Sequence, residues 1–250
     1  MEMRNALGPA DATLEIYIEE EERMQETFDE FYTSHANRYA EVSHGFIQSV
    51  YSNVSHPGLT SDMVIIDRMK ELIPGKANGL DAGCGAGARD VYFYWQAGYD
   101  IVGVDAVQEN IRVAKELHPE IADRVSVWDL SKPLQYSNEA FEFVMCNAVI
   151  QHITPELVKH VTIPELCRVL KPNGTLQLMF KVGEGITTVY DKDYDSDRTF
   201  QMYDAEDIAE LLSGLGLEVI EREGDKLGGL MYFTDTKPVD HCLLFARKVR

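Results

Sequence analysis

Hydrophobic positions recur at helical spacing through the first third of the chain and predict a series of helices there. Residues 14–42 carry aromatic and aliphatic side chains on one helical face, behind an acidic run that suits a helix amino terminus. A second helical stretch covers residues 44–54, and a third is expected between the breaks at 57–58 and 74–75. The pattern predicts an amino-terminal helical extension over residues 1–76.

From residue 79 onward the pattern changes to short apolar runs that alternate with helical segments. The predicted strands are residues 79–82, 100–105, 125–128, 141–147, 175–180, 217–222 and 241–246. The predicted helices between them are residues 88–97, 108–117, 155–170 and 205–212, the last capped by Asp204. Alternation of this kind is typical of an α/β domain whose parallel sheet is covered by helices on both faces.

Composition and charge narrow the possible partners. The chain of 250 residues has a formal net charge of −19, and its lysines and arginines are scattered singly, so a polyanion such as nucleic acid is an unfavourable substrate. The apolar runs are too short to span a bilayer, and the amino terminus lacks the pattern of a secretory leader, so we expect no membrane contact and a cytoplasmic location. The four cysteines are widely spaced and are expected to be reduced and mostly buried.

A glycine-rich turn gives the strongest local indication of chemistry. Asp81, Gly83, Gly85 and Gly87 stand where a buried strand turns into a helix, a place where the backbone can approach a ligand only if side chains are absent. Such a turn serves several nucleotide cofactors, and it also occurs as a simple packing turn. The turn alone therefore leaves the ligand open.

Two further carboxylates follow the next two predicted strands. Asp105 ends the second strand, where it could accept hydrogen bonds from both ribose hydroxyls, and Asp129 follows the third, where it could accept from an adenine amino group. Leu130 would pack on the adenine ring, and Trp128 would wall the same pocket. Because carboxyl ends of parallel strands share one edge of a sheet, these groups are expected to meet around one nucleoside.

Residues 77–180 resemble the class I S-adenosylmethionine-dependent methyltransferases through this combination of motifs. The resemblance implies a doubly wound, mostly parallel sheet of seven strands with the last strand antiparallel. It also implies S-adenosyl-L-methionine as cofactor. The cofactor-binding positions that we expect from it are Tyr39, Asp81, Gly83, Gly85, Gly87, Asp105, Ala106, Trp128, Asp129, Leu130 and Asn147.

The same resemblance places the reacting groups at the end of the fourth strand. Asn147 would lie beside the transferred methyl group, and His152 could remove a proton from an acceptor hydroxyl or amine. The fourth strand lacks the Asn-Pro-Pro-aromatic signature of many nucleic-acid and protein amide methyltransferases, which favours a small-molecule acceptor. Residues 77–250 would then form the methyltransferase domain, with residues 1–76 as a lid and 181–203 as an acceptor-side insertion.

Several alternatives remain open on the sequence alone. A nicotinamide-dependent oxidoreductase could use the same glycine turn with Asp105, and a non-catalytic module could bind S-adenosylmethionine as a sensor. The alternating aspartates of residues 191–197 do not match a calcium loop, so we interpret them as a solvated acidic loop and expect no metal. The acceptor atom and the oligomeric state are left open.

Overall fold

The computed structural model describes residues 30–45, 51–235 and 239–249. Helix α1 covers residues 30–45, and it buries Tyr32, Ala36 and Ala40, while residues 33, 34, 37 and 38 are exposed. This spacing confirms the predicted amphipathic helix for that stretch. The remainder of the predicted helix over 14–42 lies outside the described residues.

Ten strands are described, and eight of them form the central sheet. The strands are β1 (Asn78–Ala82), β2 (Asp100–Asp105), β3 (Val125–Val127), β4 (Phe141–Asn147), β5 (Leu170–Lys181), β6 (Ile186–Asp191), β7 (Ser196–Gln201), β8 (Leu217–Val219), β9 (Met231–Thr234) and β10 (Asp240–Lys248). The main order is β3-β2-β1-β4-β5-β10-β8, with β9 paired to the same edge of β10 as β8. Strands β1 to β5 pair in parallel, and β10 runs antiparallel to β5 and β8, which confirms the predicted α/β fold class. The predicted number of seven strands is wrong, because β9 pairs with β10 and makes the sheet eight-stranded.

Helices cover both faces of this sheet. They are α2 (Asp62–Leu72), α3 (Arg89–Gln96), α4 (Gln108–Leu117), α5 (Pro155–Leu157), α6 (Ile163–Val169) and α7 (Ala205–Gly214), with a π-helical turn (Val158–Thr162) joining α5 to α6. Alternate residues of β4 show why two layers are needed. Phe143 packs with α2, α3 and α4, whereas Val144 packs with α6 and α7, and both are fully buried.

Several predicted elements differ from the structure, and the strand predicted over 217–222 ends early, at Val219. Residues 51–54 are not helical, because Ser52 instead exchanges backbone hydrogen bonds with Thr234 at 3.0 and 2.8 Å. The predicted insertion 181–203 contains the hairpin β6–β7. The interpretation of residues 191–197 as a solvated acidic loop is wrong for Asp191, which is 1% exposed and lies 3.0 Å from the guanidinium of Arg198.

Three further observations concern the described part of the chain. No helix within it has the length and apolar character needed to cross a membrane. Its His, Cys, Asp and Glu side chains form no group of three or more suited to a metal ion. All four cysteines are free thiols, three of them buried and Cys84 partly so, which confirms that they are mostly buried, as predicted.

Candidate active site

The sheet reverses its order between β1 and β4, and the candidate site lies at the carboxyl ends of the strands around that reversal. β1 pairs with β2 on one side and with β4 on the other, so the connections leave the sheet in opposite directions. This arrangement opens a crevice above the strand ends, the usual ligand site of open α/β sheets. Two adjoining cavities occupy the crevice, and they share the walls formed by Tyr39, Gly83, Asn147 and Ala148.

The glycine turn after β1 requires the absence of side chains at two positions. Gly83 has φ +97° and Gly85 has φ +66°, both in the left-handed region that favours glycine. A Cβ on Gly83 would lie 2.2 Å from Val149, and one on Gly85 would lie 2.7 Å from Tyr39. The turn is therefore held tightly between α1 and the segment that follows β4.

The first cavity, here called the β2–β3 cavity, contains most of the predicted nucleoside-binding positions. Its lining includes Asp105, Ala106, Asn110, Asp129 and Leu130. Asp105 accepts hydrogen bonds from the amides of Gly85 and Val107 and from the side chain of Asn110, at 2.9, 2.9 and 3.0 Å. The carboxylate thus ties the glycine turn to the start of α4 while it faces the cavity.

An unpartnered polar atom in the same cavity fits a ligand that carries hydrogen-bond donors. Asn110 is 2% exposed, and its Oδ1 has no hydrogen-bond partner. A buried carbonyl oxygen without a partner costs roughly 1–3 kcal/mol, which a hydroxyl or amino group of a bound nucleoside would offset. The acid and amide side chains with the apolar Ala106 and Leu130 suit the polar edge and flat face of a nucleoside.

Asp129 lies at the rim of this cavity and is stabilised as a carboxylate. Burial opposes its ionisation, but hydrogen bonds from the Ser131 hydroxyl and amide and the nearby Lys132 together lower its pKa. The Lys132 ammonium lies 3.1 Å from Oδ2. Asp129 is therefore charged at neutral pH and available as an acceptor at the cavity rim.

A cluster of rings closes the β2–β3 cavity from above. The hydroxyl oxygen of Tyr32 in α1 lies 3.4 Å from Nε2 of His152, and the ring of Phe200 in β7 packs against the same imidazole. Arg198 lies among four rings and donates a hydrogen bond to the Tyr32 hydroxyl. Burial and the charges of Arg198 and Lys181 hold the pKa of His152 well below its usual value, so this imidazole is neutral near pH 7.

The second cavity, here called the β4–β5 cavity, lies over the ends of β4, β5 and β10. Its lining includes Gln177, Met179, Phe233, Asp235 and His241 on that side. On the other side it is walled by Tyr51, Asp62, Asp81, Arg89 and Asp90. It therefore begins at the glycine turn and extends away from the nucleoside-like cavity.

Carboxylates dominate the charge of the β4–β5 cavity. Arg89 pairs with Asp62 at 2.6 Å and with Asp90 at 2.7 Å. Burial and the charge of Asp90 raise the pKa of Asp81 well above its usual value, although Arg89 lowers it. Burial is the larger cause of this shift and the repulsion of Asp90 the smaller, so a cation placed near the turn would favour the ionised form of Asp81.

The structure brings most of the predicted site residues together. Those that line one or both cavities are Tyr39, Asp81, Gly83, Asp105, Ala106, Asp129, Leu130, Asn147 and His152. Gly85 and Gly87 support the turn without lining either cavity. Trp128 does not line either cavity and packs on the hydrophobic cluster beneath the sheet, with its indole nitrogen buried and without a partner.

Sequence reasoning missed several side chains that shape the site. Asn110 is buried in the first turn of α4, and an asparagine among the apolar positions of a helix is the signal that could have identified it. Gln177 interrupts the apolar run of β5 in the same way. Tyr32 and Arg198 come together only through long-range packing, which leaves no local signal.

The fold and its paired cavities define a nucleoside-binding domain of the doubly wound α/β class. Residues 80–178 match the family model described as a methyltransferase domain. This segment is therefore a methyltransferase domain, which confirms the resemblance to class I S-adenosylmethionine-dependent methyltransferases noted from the sequence. S-adenosyl-L-methionine is confirmed as the cofactor of this domain class, and the match decides against the nicotinamide alternative.

Similar proteins agree with this assignment. The human mitochondrial ubiquinone biosynthesis O-methyltransferase is 29% identical over 125 residues, which cover 45% of this chain and 33% of that protein. The mouse protein of the same name is 33% identical over 104 residues, covering 39% of this chain and 26% of its own length. The chain thus spans a third or less of these curated relatives.

Solved structures share the fold at lower identity. The 1,6-didemethyltoxoflavin-N1-methyltransferase of Burkholderia thailandensis, solved with S-adenosylhomocysteine, has a TM-score of 0.60 at 14% identity, covering 100% of this chain and 94% of that one. The [4+2]-cyclase SpnF has a TM-score of 0.61 at 17% identity, covering 88% and 94% of the two chains. These likenesses establish the fold alone.

Proposed function

We propose that the protein transfers a methyl group from S-adenosyl-L-methionine to an oxygen or nitrogen atom of a small molecule by in-line displacement. One observation carries this proposal. The β2–β3 cavity has the side chains of a nucleoside site, and it meets a second polar cavity at Asn147 and Ala148. A cofactor and an acceptor held in the two cavities would face each other at that junction.

The residues of the β2–β3 cavity would hold the cofactor's adenosine. Asp105 and Asn110 would face the ribose hydroxyls, and Asp129 and Leu130 the adenine. Asp81 and the glycine turn would face the methionine part, where the ammonium group would stabilise the ionised form of the buried Asp81 carboxyl group. When bound, the cofactor supplies a methyl group already activated by a sulfonium.

Positioning is the main task left to the chain. Holding a nucleophile in line at near-attack distance can supply roughly 7–11 kcal/mol of the barrier. Asn147 lines both cavities, and its Oδ1 accepts a hydrogen bond of 2.9 Å from Gln177. This bond fixes the amide at the junction, so Asn147 is the residue that we propose to orient the acceptor.

We propose an orienting role for His152 in preference to a role as proton acceptor. Its imidazole is neutral, because burial and two nearby cations disfavour the imidazolium that a proton acceptor would become. A neutral ring can accept a hydrogen bond without taking the proton fully. This arrangement therefore suits a methyl acceptor that loses its proton to solvent and not to His152.

A non-catalytic or non-methylating role is the second candidate. The similar fold of a protein named as a [4+2]-cyclase shows that this architecture occurs with another named activity. The names of the similar methyltransferases include both oxygen and nitrogen transfer, so the proposal retains both atom types. Its acceptor is a small molecule and not a nucleic acid, in keeping with the net charge of −19. The cytoplasmic location stays a prediction.

Calorimetric titration with S-adenosylmethionine and with NAD tests the proposal first. We expect binding of S-adenosylmethionine alone, with S-adenosylhomocysteine as a competing ligand. Release of S-adenosylhomocysteine in the presence of panels of phenols, amines and acids then tests turnover. Binding without turnover across the panels would favour the non-catalytic candidate, and absence of binding would contradict both.

A further inference from the structure

Gln177 is a polar residue that the sheet places between apolar neighbours. In β5 it stands opposite Met145 of β4 on one side and Phe245 of β10 on the other, and both of these residues are fully buried. Neither of their side chains can donate a hydrogen bond. Gln177 itself is 2% exposed and lines the β4–β5 cavity, so the cavity is the side from which a further donor can reach its amide.

One end of the Gln177 amide has a hydrogen-bond partner and the other does not. Nε2 donates to Oδ1 of Asn147 at 2.9 Å, whereas Oε1 is buried without a partner in the described part of the chain. The bond to Asn147 holds the amide in this orientation. An unsatisfied buried carbonyl oxygen costs stability, and a ligand that brings an O–H or N–H group to it would remove that cost.

The position of this oxygen relative to the junction of the two cavities is a second observation. Asn147 lines both cavities, whereas Gln177, which is hydrogen-bonded to it, lines the β4–β5 cavity and not the β2–β3 cavity. The β2–β3 cavity is the one that suits a nucleoside. A group bound to Gln177 would therefore lie beside the junction, on the side left for the methyl acceptor.

Apolar side chains form the wall that continues from Gln177. Met179 lies two residues further along the same face of β5 and lines the same cavity. The cavity is also lined by Tyr51, Ile65 and Phe233, which belong to one hydrophobic cluster. The rings of Tyr51 and Phe233 stack at a centroid distance of 4.1 Å. Such a wall favours a ligand with an apolar framework and a polar group placed to meet Gln177.

We propose that Gln177 recognises the methyl acceptor. Its Oε1 accepts a hydrogen bond from an O–H or N–H group of a small, largely apolar molecule held in the β4–β5 cavity. This inference rests on the proposed function. An amide oxygen binds a donor without taking its proton, so Gln177 orients the acceptor and does not activate it. A molecule of the same shape that lacks the donor leaves the buried oxygen unsatisfied and is bound less tightly.

Uncharged probes of matched shape test this recognition without requiring turnover. The protein is saturated with S-adenosylhomocysteine and titrated calorimetrically with p-cresol against p-fluorotoluene, and with indole against benzofuran. Within each pair the shape is nearly the same, and the first member alone can donate a hydrogen bond. We expect the donor to bind at least about threefold more tightly in each pair.

Three variants locate the effect. Gln177→Met removes the oxygen and should abolish the preference within each pair, whereas Gln177→Glu keeps an oxygen acceptor and should retain it. Gln96→Met, the same change at the exposed last residue of α3, is the control and should bind all four probes as the unaltered protein does. Binding of S-adenosylhomocysteine by each variant shows that its fold is intact.

The outcomes separate this inference from the function on which it rests. Equal binding within either pair, tighter binding of the members that lack the donor, or no binding of any probe by protein that binds S-adenosylhomocysteine would overturn the recognition by Gln177 alone. A preference that persists in Gln177→Met, or that is lost in Gln177→Glu as well, would overturn the assignment to Oε1. Failure to bind S-adenosylhomocysteine or S-adenosylmethionine would overturn the proposed function, and this inference with it.

Discussion

Oδ2 of Asp105 lies 2.9 Å from the amide nitrogen of Gly85, so the acid that ends β2 holds the glycine turn that follows β1. The sequence suggests a carboxylate reserved for a ribose. The structure shows instead that this carboxylate accepts hydrogen bonds from Gly85, Val107 and Asn110 while its side chain lines the cavity. Binding and local order therefore depend on the same side chain.

Asp105→Ala is expected to weaken cofactor binding on the order of ten- to 150-fold, because a charge-assisted interaction worth roughly 1.5–3 kcal/mol is lost. The change should also lower the melting temperature, since three donors lose their acceptor. Calorimetry with S-adenosylmethionine measures the first effect and thermal unfolding the second. Asp100→Ala, at the exposed start of the same strand, is the control, and unchanged binding in Asp105→Ala would contradict the assignment.

Asp81→Asn is expected to stabilise the free protein and weaken cofactor binding. Because the folded state raises the pKa of Asp81, ionisation of this group costs stability as the pH rises above the normal carboxyl range near 3.8. The gain from the variant should thus be largest in neutral and alkaline solution and vanish in strong acid. A melting temperature higher by about 2–4 °C corresponds to about 1 kcal/mol for a chain of this size. A lower melting temperature at pH 8 would contradict this.

His152→Phe is expected to reduce the loss of stability in acid. The folded state depresses the pKa of His152, so the unfolded chain binds a proton below about pH 6.5 while the folded chain does not. This difference costs the folded state up to about 1.4 kcal/mol for each further pH unit. Unfolding measured between pH 5 and 8, with His160→Phe as an exposed control, tests it.

The pH dependence of methyl transfer separates the two roles of His152. If the residue orients the acceptor, the variant should lower the rate by the same factor at every pH. A rate loss of about 10²–10⁴-fold accompanied by the disappearance of a titration step would show instead that His152 acts as a base.

Arg198→Met is expected to destabilise the protein by about 3–5 kcal/mol, because it leaves the buried Asp191 carboxylate without its cation. The double variant Asp191→Asn with Arg198→Met should recover a large part of that loss, since no charge is then stranded. Urea unfolding of the two single variants and the double variant forms the cycle. Additive losses would contradict a coupled pair.

Gly83→Ala is expected to abolish high-affinity cofactor binding and to lower stability. The new Cβ would clash with Val149 at 2.2 Å, and the residue lies at φ +97°. Gly75→Ala is the matched control, because no atom lies within 4 Å of the added Cβ and its φ is not positive. Thermal unfolding and calorimetry of both variants measure the difference.

Sequence patterns predicted the strands and helices around the β2–β3 cavity well, because the patterns that indicate them involve residues close together in the sequence. The alternation around β2 and α4 gives their bounds to the residue, and Asp204 caps α7 through hydrogen bonds to two backbone amides. Strand ends of a parallel sheet converge by geometry, so the strand pattern alone is enough to place Asp105 and Asp129 together.

The strands and side chains that complete the two cavities could not be predicted in the same way, because they are brought together by segments that are distant in the sequence. β9 pairs with β10 and also with Ser52, so its existence depends on residues distant in sequence. The hairpin β6–β7 alternates polar and apolar positions too weakly to be distinguished from a loop. In the sequence, Arg198 has no feature that sets it apart from other charged residues. Its guanidinium lies between the rings of Phe31 and Phe200 only because α1 packs against the hairpin.

Tyr39 touches the glycine turn from outside the methyltransferase segment 80–178, and Phe233 and His241 stand beyond the other end of that segment. The outer walls of the β4–β5 cavity are thus supplied by segments that flank the methyltransferase match on both sides. Changes in either flank could reshape this cavity without altering the residues that form the glycine turn.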